Sequence, residues 1–135
     1  EDAERVYQDC LQRRLKLLGP THPQTLDSVN NLALLYGSGY GGRLADAKAL
    51  CKLCLKQRRA SSMLGEDHPD TIASASNLAS LYFRQAQQSD ADAGEQEHLV
   101  AKAENLFRYC LAKRVELLGE DHPDTIHSMN DLASL

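Results

Sequence analysis

Four cysteines and five histidines are the residues of this 135-residue chain best suited to metal or redox chemistry. Cys51 and Cys54 form a C-x-x-C, the spacing of zinc sites and dithiol redox centres. A reactive thiol needs a depressed pKa, supplied by a helix N-terminus or nearby cations. Here Leu50, Cys51, Cys54 and Leu55 fall at 3–4 spacing, inside a predicted helix rather than at its start. The pair is therefore expected to fill a helix–helix contact as small, reduced, apolar side chains. His22, His68 and His122 each precede a proline and recur 46 and 54 residues apart. Successive copies stand a helix pair apart, far beyond the roughly 2 Å reach of a shared zinc ion. Each is expected to order its own turn through a ring hydrogen bond. His98 and His127 have no partner legible in the sequence. No Ser–His–acid set, phosphate-binding loop or paired-carboxylate constellation emerges, so the expectation is no enzyme, no metal and no cofactor.

The elements that carry these residues come in three copies. Leu18-Gly19-Pro20-Thr21-His22-Pro23-Gln24-Thr25 returns as Leu64-Gly65-Glu66-Asp67-His68-Pro69-Asp70-Thr71 and as Leu118-Gly119-Glu120-Asp121-His122-Pro123-Asp124-Thr125. Each copy runs on into a related block: Asn31-Leu32-Ala33-Leu34-Leu35-Tyr36, Asn77-Leu78-Ala79-Ser80-Leu81-Tyr82 and Asp131-Leu132-Ala133-Ser134-Leu135. A second block recurs as Ala3-x3-Tyr7-x2-Cys10-Leu11, Ala47-x3-Cys51-x2-Cys54-Leu55 and Ala103-x3-Phe107-x2-Cys110-Leu111. Leu26, Val29, Leu32, Ala33 and Tyr36 share one helical face, and Pro23 suits the first helical turn. Asp70 and Asp124 add negative charge near the positive helix end, and Gly19, Gly65 and Gly119 are expected as left-handed C-caps. No run alternates with the period of a strand. The class is all-α.

Leu-Ala-x2-Tyr in the first helix and Ala-x3-aromatic-x2-small in the second resemble the tetratricopeptide repeat. The longer unit, with its Leu-Gly-x2-His-Pro-x-Thr and Asn-Leu-Ala phrasing, resembles the repeats of kinesin light chains. Nephrocystin-type scaffolds and the sensor tails of some signalling ATPases are similar. The resemblance implies an α-solenoid, a right-handed superhelix of antiparallel helix pairs, with the first helix of each pair lining a concave face. Residues 1–18 then match the second helix of one repeat. Residues 19–63 and 64–117 are repeats, and 118–135 match a further first helix. Gly37–Leu44 is a Gly-rich connector, and the polar insertion 85–98 is expected as a loop with helical extensions at its ends. On this division the chain is expected to be an excerpt of a longer solenoid.

About 100° per residue sets Asp27, Asn30, Asn31 and Leu34 opposite the apolar face. The equivalent positions hold Ala73, Ser76, Asn77, Ser80 and Arg84, then His127, Asn130, Asp131 and Ser134. Carboxamides both donate and accept, so such a ladder can match an extended peptide backbone whatever its side chains. Light-chain-like grooves are similar in using Asn this way. The alternative is that these residues are solvated or bridge neighbouring repeats. A C-terminal carboxylate clamp is not expected, because Asn30, Ser76 and Asn130 stand where a cation is needed.

These features imply a binding partner that is a protein or peptide, within an adaptor or, alternatively, a spacer or sensor array of a larger scaffold or signalling protein. A net charge of -4 without a basic stripe disfavours nucleic acid. Apolar runs of about five residues fall far short of the roughly twenty that span a membrane. Reduced thiols suit a cytoplasmic protein, associated with the cytoskeleton if the light-chain resemblance extends that far. Finally, the Ile126/Met129/Leu132/Ala133 face and the Val6/Tyr7/Cys10/Leu11 face are complementary, so head-to-tail self-association is expected.

Overall fold

The computed structural model describes residues 2–37, 43–61, 64–88 and 92–135, and among them it contains helices and turns but no strand. The helices are α1 (Asp2–Leu18), α2 (Pro23–Tyr36), α3 (Leu44–Ala60), α4 (Pro69–Gln88), α5 (Ala93–Leu118) and α6 (Pro123–Ala133). The fold is all-α. Two compact units divide the chain, residues 1–74 and 75–135, with the division falling inside α4.

In the first unit α2 lies between α1 and α3. Its 3–4 pattern buries Leu26, Val29, Leu32, Ala33 and Tyr36, with Thr25 and Ser28 buried beside them. Leu26, Val29 and Cys54 form a core against which Leu11, Leu50 and Leu64 pack. Burial of each large aliphatic side chain contributes on the order of 1.5–3 kcal/mol. α1 and α2 run antiparallel. Arg14, late in α1, bonds to Gln24 and Ser28, early in α2, while Gln8 bonds to Tyr36 at the far end of α2. Glu4 accepts there from Arg43 at 2.7 Å and from the Tyr36 hydroxyl at 3.1 Å, and Arg43 lies 3.9 Å over the Tyr36 ring. The Arg43 guanidinium holds the Glu4 carboxyl below its usual range.

In the second unit α4 buries Ala75, Leu78, Ala79, Leu81, Tyr82 and Ala86, and α5 buries Leu99, Ala103, Phe107 and Cys110. Lys102 lies 5.3 Å from the Tyr82 ring centroid, and α6 packs back on α5.

The turns differ in detail from the sequence expectation. Gly19, Gly65 and Gly119 all have positive φ, near 89°, 72° and 90°, which disfavours any L side chain. Gly119 has ψ 165°, so it occupies a region open essentially to glycine alone rather than the left-handed helical cap expected. Gly65 is not the residue that caps α3. That helix ends at Ala60 with Ser61 as its cap, while the Gly65 amide donates to the Arg58 carbonyl at 3.1 Å. The reason is length: nine positions separate Cys10 from Gly19 and Cys110 from Gly119, but eleven separate Cys54 from Gly65. The polar stretch 85–98 carries the helical extensions expected at its ends, and residues 89–91 lie outside the described residues. α4 continues to Gln88, and α5 starts at Ala93 with the Asp92 carboxylate accepting from the Glu95 amide at 2.9 Å. Polar helix formers and an N-cap suffice for a helix end without an apolar face. Residues 38–42 of the other connector lie outside the described residues.

Candidate functional site

The helix starts are built by the recurring histidines. Nδ1 of His22, His68 and His122 accepts the backbone N–H two residues on, at 3.1, 3.0 and 3.1 Å. That satisfies one of the amides left orphaned at a helix start, and the following proline has none to satisfy. The ring hydrogen bond expected of each histidine is therefore present, and it serves architecture.

The thiols behave as packed side chains too. Cys51, Cys54 and Cys110 are buried, Cys10 is half-buried, and none of the four is in a disulfide. Burial, with Cys54 adjacent, pushes the Cys51 thiol up to about 11, and burial also raises Cys54. This is the reverse of what a redox dithiol requires. Among the described residues no group of three potential metal ligands is found.

A third recurring device escaped the sequence reading. Arg14, Arg58 and Arg114 each follow a cysteine of the repeat by four positions. In each, Nη1 donates to a serine hydroxyl one turn into the next helix: Ser28 at 2.9 Å, Ser74 at 2.6 Å and Ser128 at 2.7 Å. The same nitrogen donates to the carbonyl of Gln24, Asp70 or Asp124, at 2.8, 3.0 and 3.3 Å. Arg58 goes further. It is 2% exposed, and its Nη2 meets Asp27 Oδ1 at 2.8 Å, so one guanidinium joins α2, α3 and the start of α4. The threefold recurrence of Cys-x3-Arg, followed by a serine, was the signal available for finding it.

That bond engages the Asp27 carboxylate within the molecule, as in the alternative that these residues bridge neighbouring helices. On the same outer face of α2, Asn31 is exposed, Leu34 is 49% exposed, and Asn30 is half-buried and already engaged within the molecule. On α4, Ser80 is exposed; Ser76, Asn77 and Arg84 are half-buried, and Asn77 also has an internal partner. On α6, Asn130 and His127 are exposed, and His127 Nε2 stands 3.4 Å from Asp131 Oδ2, one turn away. The structure thus brings His127 to Asp131 and Asp27 to Arg58. It leaves Asn31, Leu34, Ser80 and Asn130 open to solvent on their own helices. Such faces offer hydrogen bonds and a leucine contact.

Helix pairs with a repeated core pattern, repeated caps and repeated Arg–Ser ties define a helical-repeat protein. A tetratricopeptide repeat family model matches residues 1–24 and 100–124, and this supports a tetratricopeptide repeat protein. Both matched segments hold a second helix or its end, the Gly turn and the His-Pro start of the next helix. The middle copy, with its two extra turn residues, lies outside them. Comparison with curated proteins gives no match. The all-α helix pairs agree with a solenoid of this repeat, a scaffold that generally mediates protein–protein interaction. No helix of the described residues is long and apolar enough to cross a membrane.

Proposed function

We propose that this chain is a non-catalytic binding module that takes an extended peptide of a partner or cargo along its first-type helices, as a kinesin-light-chain-like adaptor in the cytoplasm. The observation that carries this reading is the outer face of α2, where exposed Asn31 and Leu34 stand one turn apart, clear of the core. A carboxamide beside an exposed leucine suits a peptide backbone flanked by an apolar side chain. The packed thiols, none of them in a disulfide, favour a reducing compartment.

A peptide-array screen of the whole chain tests the proposal. Asn31→Ala combined with Leu34→Ala should weaken a captured peptide about tenfold or more, since each lost hydrogen bond is worth about 0.5–1.5 kcal/mol and the leucine contact adds to it. Unchanged affinity places the site elsewhere. A second reading, a structural spacer or sensor array in a larger scaffold, is favoured by the internal engagement of Asp27, Asn30 and Asn77. It predicts that no peptide is captured.

A further inference from the structure

α2 shows what covers the apolar flank of a first-type helix. Leu26 and Val29 are 1% and 6% exposed because Leu50 and Cys54 of α3 pack on them, and Asp27 beside them pairs with Arg58. The same flank of α6 is bare: Ile126 and Met129, at the positions of Leu26 and Val29, are 46% and 40% exposed. α1 carries the α3 surface at matching positions, with Val6 for Leu50, Cys10 for Cys54 and Arg14 for Arg58. Val6 is 64% exposed. Arg14 spends Nη1 on Gln24 and Ser28, as Arg58 does on Asp70 and Ser74, and no carboxylate partner for it is found among the described residues.

We infer that the flank of α6 in one molecule docks on α1 of a second copy, rebuilding between molecules the α2–α3 contact that each molecule already contains. The contact is heterologous, so it propagates into rows or rings rather than closing a two-fold dimer. One helix face buries less than the about 1,200 Å² of a stable interface, so the association is weak and depends on concentration. One polar position is mismatched. Where α2 offers Asp27 to its arginine, α6 offers His127, which pairs instead with Asp131.

Sedimentation velocity on the whole chain, from micromolar to millimolar, should show mass rising with concentration. Val6→Glu and Met129→Glu alter exposed positions and leave helicity unchanged, yet each alone should be monomeric. Mixed one to one, they should form a heterodimer and nothing larger, because each retains the face that the other lacks. His127→Asp with Asp131→Asn, which copies the Asp27/Asn31 pair of α2, should tighten association several-fold. A strict monomer at millimolar concentration, or a Val6→Glu and Met129→Glu mixture that stays monomeric, overturns the inference.

Discussion

α2 and α6 are the same element in two settings. Both start with a histidine cap and a proline, both bury a threonine and a serine, and both are tied at that serine to an arginine of the preceding helix. Yet Leu26 is 1% exposed and Ile126 46%. The flank held by the arginine–serine tie is covered in both helices, whereas the other flank is covered only where α3 lies against it. Periodicity marks which residues can be buried; the neighbouring helix decides which of them are. The buried threonines differ as well: the Thr125 hydroxyl has no hydrogen-bond partner, while Thr25 donates to the Arg14 carbonyl at 3.3 Å.

The largest expected effect that sharpens this comparison is Leu26→Ala, which should cost about 2–5 kcal/mol in urea unfolding. Ile126→Ala at the matching position should cost about 1 kcal/mol or less. Equal losses would show that burial does not separate the two helices. Next comes the arginine series. Arg58→Ala removes a buried cation with three hydrogen bonds and should cost on the order of 3 kcal/mol. Arg14→Ala and Arg114→Ala, at half-exposed sites, should cost about 1 kcal/mol each by the same measurement. Gly119→Ala, at a positive φ, should destabilise by about 1 kcal/mol or more although nothing crowds the new methyl group.

A further effect concerns pH. Below the ordinary thiol value of 9.0 Cys51 is protonated folded or unfolded, and stability does not depend on it. Between that value and about 11 the unfolded chain ionises while the folded thiol does not, so stability falls as pH rises. Urea midpoints at successive pH values should decline across that window, and less so in Cys51→Ala. A flat profile in the parent chain would mean that Cys51 is as solvated folded as unfolded.

Much of this was legible in the sequence. The core of α2, the histidine caps and the burial of Cys51 and Cys54 follow from spacing and residue type, because those patterns are local along the chain. The Asp27–Arg58 pair was not legible for a physical reason: a helical wheel places Asp27 opposite the core but says nothing of a long arginine reaching over from α3. The helical ends of the segment 85–98 were legible too, because Asp92 followed by Glu95 is a helix-start signal and Gln and Glu are good helix formers. The open or engaged state of Asn30, Asn31 and Asn77 depends on neighbours that spacing alone does not reveal.

The reach of the Arg–Ser ties carries a kinetic consequence. The hydrogen bonds described between helices join residues from 10 positions apart, as in Arg14–Gln24, to 39, as in Glu4–Arg43. Short loops close at little entropic cost, so folding can begin at any turn and spread to its neighbour on a fast timescale. A lengthened turn such as the one before Gly65 then delays only its own step. That insulation lets duplication and insertion vary one copy without unsettling the rest.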